Sequence, residues 1–153
     1  MRNTATGRPV PGDPPEAGWE QFDVDADVGV RAWGPTRAEA FAQAALGVFA
    51  LIVAPDEVEE REHREVRAQA ESPETLLVTW INECLYVHEI EGFVVHRVEV
   101  GACTATLVHA TLHGEEMDAS RHRFGTIVKA ATMHRLVVAE REGRHEVRVI
   151  VDV

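Results

Sequence analysis

The sequence predicts an α+β single domain in which two helices pack on a largely antiparallel β-sheet. Two observations carry that prediction. Apolar residues repeat at helical spacing in two segments, each opened by a capping signal, while most other patterned segments alternate at strand spacing. The strand segments also do not alternate with helices one for one, as parallel βαβ units require, and no internal repeat is visible.

Taken in order, residues 1–17 hold Pro9, Pro11, Pro14 and Pro15 with almost nothing apolar. Such a leader cannot repay its ordering entropy, so the domain is expected over 18–153, with its fold beginning near Trp19. From Phe22 to Trp33 apolar and polar residues alternate, which reads as one half-buried strand with Asp23, Asp25 and Asp27 on its polar face. Gly34-Pro35 ends it. Thr36 and Glu39 form a capping-box pair that opens a helix through Val53, striped by Ala40, Phe41, Ala44, Ala45, Val48 and Leu51.

A charged strand follows at about 62–70. Ser72 with Pro73 then starts a second helix, its stripe formed by Leu76, Leu77, Trp80, Ile81, Cys84 and Leu85, ending near His88 before Gly92. Strand patterns occupy Phe93 to Val100, Thr104 to His113, Ile127 to Thr132, Leu136 to Ala139 and Val147 to Val151. The last two are joined by Arg141-Glu142-Gly143-Arg144, a hairpin turn.

The chain has 153 residues, 45% of them hydrophobic, which suits one domain with a real core and not two. Its net charge of -11 repels phosphate backbones, so direct nucleic-acid binding is not expected; a basic protein or a multivalent cation suits it better. Cys84 and Cys103 fit neither a zinc motif nor a disulfide framework, and no apolar run reaches the roughly 20 residues of a membrane span. A soluble protein of the reducing cytoplasm, with no membrane partner, is expected.

The chemistry-bearing residues fall into three groups. Asp23, Asp25 and Asp27 would stand about 6.6 Å apart along one strand face, either solvated or relieved of mutual repulsion by a hard cation. Asp152, beside the Val153 carboxylate, is either a hydrated terminus or the completion of a metal site, if the last strand pairs beside the Asp27 strand. Asp118 and His122, four residues apart, can bond on a turn or ligate a metal; Lys129, among apolar neighbours, needs an anion or a route to solvent. His88 suits a structural role at a helix end. Neither cysteine shows a partner that would make it a nucleophile, Ser72 and Ser120 lack a nucleophile-elbow context, and no glycine-rich phosphate loop exists.

Several stretches together resemble the archease family. Val24-Asp25-Ala26-Asp27-Val28-Gly29 looks like that family's His-Thr-Ala-Asp-Ile-Gly, and Leu76 to Phe93 is similar to its second helix and following turn. Gly114-Glu115-Glu116-Met117-Asp118-Ala119-Ser120-Arg121-His122 resembles its Gly-Glu-x-x-Asp-x-x-x-His block. Val128-Lys129-Ala130-Ala131-Thr132-Met133-His134 resembles Val-Lys-Ala-x-Thr-Tyr-His, and Val151-Asp152-Val153 matches the family's terminal Asp and aliphatic residue.

The resemblance implies a non-catalytic activator of an RtcB-type RNA ligase, promoting its guanylylation and multiple turnover in tRNA splicing or RNA repair. It also implies a divalent metal, calcium foremost with manganese or magnesium as substitutes. Asp27 and Asp152 would be its carboxylates, with Asp25 and Val153 as further oxygen donors and Lys129 functional nearby; Asp118, His122 and His134 lie in the other matched blocks. Three positions depart from the pattern: Val24 replaces His, Asp25 replaces Thr and Met133 replaces Tyr. Two other functions fit the residues by themselves. One is a metal-dependent phosphoester hydrolase using Asp25, Asp27 and His134 around an activated water; the other is an acidic cation-binding interaction domain unrelated to RNA.

Overall fold

In the computed structural model, which describes residues 16–153, the chain opens with a hairpin of β1 (Gly18–Val24) and β2 (Asp27–Gly34). The leader's residues 1–15 lie outside the described residues. The single strand expected over Phe22 to Trp33 is therefore two strands, folded back at Asp25 and Ala26. Asp25 sits at φ +50°, the left-handed region that aspartate tolerates better than most side chains. Alternation had continued through the turn and disguised it.

The turn changes which side chains share a face. Val24 pairs with Asp27 and Asp23 with Val28, and cross-strand partners point the same way. Asp23 and Asp27 are thus on opposite faces, and Asp25 is on neither, so the acidic strand face of the sequence reading does not exist. Phe22 pairs with Gly29, and its ring fills the space that a β-carbon there would need.

Helix α1 (Arg37–Ile52) follows, the Thr36 hydroxyl accepting the Glu39 amide at 3.1 Å as its cap. After a short 3-10 turn at Pro55–Glu57 come β3 (Glu62–Gln69) and α2 (Pro73–Glu91). Ser72 and Thr75 cap α2 reciprocally, and Gly92, at φ +65°, stops it one turn beyond the expected His88. The remaining strands are β4 (Phe93–Cys103), β5 (Leu107–Glu116), β6 (Ala130–Arg141) and β7 (Arg144–Asp152).

Two strand boundaries differ from expectation for local reasons. The Thr104 hydroxyl accepts the amides of Thr106 and Leu107, making a turn where a strand was expected to begin. Gly125 and Thr126 donate their amides to Ile52 and Leu51 of α1, so the segment before Ala130 is committed to the helix end and not to a ladder. The two strands expected over 127–132 and 136–139 are a single β6, whose register shifts between Thr132 and Val137 around Arg135 at φ +53°. The last hairpin turns through Glu142 and Gly143, both at positive φ, as a two-residue turn of the primed kind requires.

The sheet is split in two: β1-β2-β7-β6 and β3-β5-β4, antiparallel throughout. The helices lie between them, α1 against β2, β7 and β4, and α2 against β6 and β3. That explains why α1 is buried on more than one side, with Phe41, Ala44, Ala45, Val48, Phe49 and Ile52 all inside. Trp80 of α2 donates its indole N–H to the Phe41 carbonyl at 2.9 Å, joining the helices within the core. Among the described residues no helix is long and apolar enough to cross a membrane.

Candidate functional site

Strands β2 and β7 run antiparallel, and Val28 opposite Val151 is the last pair of their ladder. One step further stand Asp27 and Asp152. Side chains opposite each other on such a ladder share a face, with Cα atoms about 4.5–5.5 Å apart. The pattern of each strand fixes that face: Val147, Val149 and Val151 of β7 and Val30 and Ala32 of β2 point into the core, which turns Asp152 and Asp27 to the other side. Two carboxylates from opposite ends of the described chain are thereby set at one corner of one sheet.

The third strand reaches the same corner. Ala130 pairs with Asp152, and the Lys129 amide donates to the Asp152 carbonyl at 2.8 Å. Lys129 itself is exposed and makes no ion pair among the described residues. Asn82 of α2 holds the start of β6 by accepting the Ala131 amide at 2.7 Å, a role the sequence reading missed. A lone amide side chain beside the apolar stripe of α2 was its only signal.

The other singled-out residues lie apart from the aspartate pair or at its margin. Asp25 is exposed on the hairpin turn. Val24, opposite Asp27, is buried, so an apolar wall stands where the family pattern has histidine. Val153 packs its side chain against the core edge. His134 and Met133 are exposed in the shifted stretch of β6, His134 donating its amide to the Thr132 hydroxyl at 3.3 Å. Among the described residues no three His, Cys, Asp or Glu side chains stand together as a metal cage. What the corner offers is two hard carboxylate groups without nitrogen or sulfur. That donor set fits calcium, magnesium or manganese retaining several waters, and does not fit a closed zinc site.

Asp118 and His122 belong to a second cluster, on the three-stranded sheet. Its centre is Glu115, a carboxylate only 2% exposed. Arg121 clamps both of its oxygens, Arg61 approaches at 3.4 Å, and the Glu59 amide donates to it at 2.8 Å. His122, 4% exposed, completes the shell through Nε2 at 2.9 Å, while its Nδ1 accepts the Asp118 amide, also at 2.9 Å. Since Nδ1 accepts, Nε2 carries the proton and the ring is the neutral tautomer donating to Glu115. Both ring nitrogens are thus engaged within the protein.

The Asp118 carboxylate accepts from Ser120 and Arg121 and so caps its own turn, which holds its ionised form below the ordinary carboxylate range. The Arg121 guanidinium beside Glu115 pulls that carboxyl down to about 2, against the upward push of burial, with the Glu59 amide and His122 assisting. This network is a lock that pins the segment after β5. Burial raises the thiols of Cys84 and Cys103, which leaves neither activated.

These features define a small acidic α+β protein whose distinguishing group is a carboxylate pair contributed by the first hairpin and the last strand. The sequence model of the Archease protein family (MTH1598/TM1083) matches residues 19–153, and the chain belongs to that family. It is similar to protein archease of Pyrococcus abyssi, 33% identical over 139 residues that cover 88% of this chain and 98% of that one. Protein archease of Thermococcus gammatolerans is 39% identical over 119 residues, 76% of this chain and 84% of its own. The solution structure of protein 1598 from Methanobacterium thermoautotrophicum superimposes with a TM-score of 0.73 at 33% identity, covering 89% of this chain and 99% of that one. A Thermotoga maritima archease, described as a possible chaperone, shares the fold with a TM-score of 0.60 at 16% identity, over 88% and 96% of the two chains.

Proposed function

We propose that this protein is a metal-binding, non-catalytic cofactor that activates an RNA ligase of the RtcB type, favouring its guanylylated, multiple-turnover state. The observation that carries the reading is the Asp27–Asp152 corner. Like charges directly across a ladder destabilise one another, so a fold that keeps two carboxylates there gains when a cation joins them. Asp27 and Asp152 would hold the ion and Asp25, two residues away on the turn, would add to the negative field that attracts it. A bound divalent ion supplies charge that can be shared with a partner's phosphate or carboxylate groups.

The chain's own part is docking and selection. Its charge of -11 favours approach to a basic opening, and differential affinity for one ligase state is what activation requires thermodynamically. Membership in the archease family supports the same reading.

The test is a purified RtcB-type ligase with limiting GTP and a 2′,3′-cyclic phosphate RNA end. Wild-type protein is expected to raise the number of turnovers per ligase, and Asp27→Ala or Asp152→Ala to abolish that gain. Activation by both variants at wild-type level would sink the carboxylate mechanism. Phosphoester turnover by the isolated protein would instead favour a hydrolase.

A further inference from the structure

We infer that Asn82 of α2 is a positioning residue for the carboxylate corner: by holding the first residues of β6 it holds Asp152, which lies beyond the last β2–β7 pair. The inference deepens the functional reading above, and of its measurements only cation binding rests on that reading.

The β2–β7 ladder stops at Val28 opposite Val151, so β2 gives Asp152 no partner. Its backbone partners lie at the start of β6: Ala130 stands opposite it, and the Lys129 amide donates to its carbonyl at 2.8 Å. The place of Asp152 therefore depends on how firmly the start of β6 is held. Its own hairpin holds it poorly. From the turn at Glu142 and Gly143 the pairs run unbroken from Arg141 to Val137, and the ladder then lapses as far as Thr132. Over that gap β6 takes five steps, from Val137 to Thr132, while β7 takes two, from Arg148 to Ile150. Such an interruption divides a ladder into parts that can open independently. The far part has three pairs, at Ala130, Ala131 and Thr132, and β6 is the edge strand of its sheet. Three pairs at an edge do not by themselves repay the ordering of their backbone.

Asn82 supplies what the hairpin does not. Amides along an edge strand alternate between the neighbouring strand and the open side. That of Ala131, a residue only 7% exposed, goes to α2, where the Asn82 Oδ1 accepts it at 2.7 Å. Ala131 is the middle one of the three pairs, so one bond from the helix holds the whole stretch. Without that bond the amide of a buried residue lacks an acceptor, and the stretch opens to hydrate it, releasing Lys129 and Asp152. A second tie, from the Gly125 and Thr126 amides to the end of α1, secures the segment before Lys129 and not these pairs.

The test compares the full wild-type chain with Asn82→Leu, which keeps the volume and removes the acceptor, and Asn82→Asp, which keeps the acceptor. Amide exchange followed by NMR is expected to be about tenfold faster in Asn82→Leu at Lys129, Ala130 and Thr132, whose amides Asn82 does not bond. The pairs from Val137 to Arg141 should stay within about threefold of wild type. Manganese titrated into the same samples should bind Asn82→Leu about fivefold more weakly, and Asn82→Asp should return both exchange and binding to near the wild-type values. Unchanged exchange at the three amides in Asn82→Leu overturns the inference, as does faster exchange throughout both sheets or exchange that stays fast in Asn82→Asp. If exchange changes as expected but manganese binds wild type and Asn82→Leu alike, Asn82 secures the strand without positioning the site, and the inference is again wrong. If wild type binds no manganese, the reading of the corner as a cation site falls, while exchange of the Lys129 amide still decides whether Asn82 holds Asp152.

Discussion

Glu115 shows how much one side chain can organise. A carboxylate buried to this degree is tolerated because two guanidinium groups, an imidazole and a backbone amide surround it, and removing such a partner set is costly in either direction. Its carboxyl is held at about 2, below an ordinary 4.5, so its contribution is fully present above pH 4.5 and is lost as pH falls from there toward 2. At about 1.4 kcal/mol per unit the shift corresponds to roughly 3 kcal/mol. Glu115→Gln should therefore lose about 2–4 kcal/mol at pH 7 in urea denaturation, with the gap to wild type narrowing below pH 4.5 and nearly closing at pH 2. A gap independent of pH would mean that packing, not charge, is what the residue supplies. The motif containing Glu115 was visible in the sequence, but alternation could not tell whether it or Glu116 is inside. By strand parity Glu115 faces away from the helices; it is buried because Arg121 and His122 fold back over it.

Among elements, the helices were the most legible. The capping residues Thr36, Ser72 and Pro73 and the stop at Gly92 are local chemistry, and each acts where the sequence put it. The first hairpin was not legible, since Asp25-Ala26 is a weaker turn signal than Asn-Gly and the alternation continues across it. The consequence for the site is testable. Asp25→Gly suits φ +50° and should leave stability within about 1 kcal/mol of wild type, while Asp25→Val places a β-branched residue in the left-handed region and should cost about 1–2 kcal/mol. If Asp25 acts only through its field, the glycine variant should keep cation affinity within a few-fold in calorimetric titration; a hundredfold loss would make it a direct ligand.

At the scale of the whole molecule, two sheets close over two helices, and the same closure sets the first hairpin beside the last strand. A cation bound at Asp27 and Asp152 is bound only by the folded chain, so it must stabilise the fold. At about 100 times its dissociation constant the gain is near 2.7 kcal/mol, which raises the melting temperature by about 5–10 °C for a chain of this size. Calcium, magnesium and manganese titrations followed by thermal melting should show that rise for wild type and none for Asp27→Ala or Asp152→Ala. Sequence by itself determined the acidic balance and the two helices with their caps, because these depend on neighbours along the chain. Only the tertiary structure decided that there are two sheets, that Asp23 turns away from Asp27, and that Asp27 and Asp152 stand at the same end of the β2–β7 ladder. Those facts depend on register between strands distant along the chain, and register is set by which apolar faces the shared core can bury.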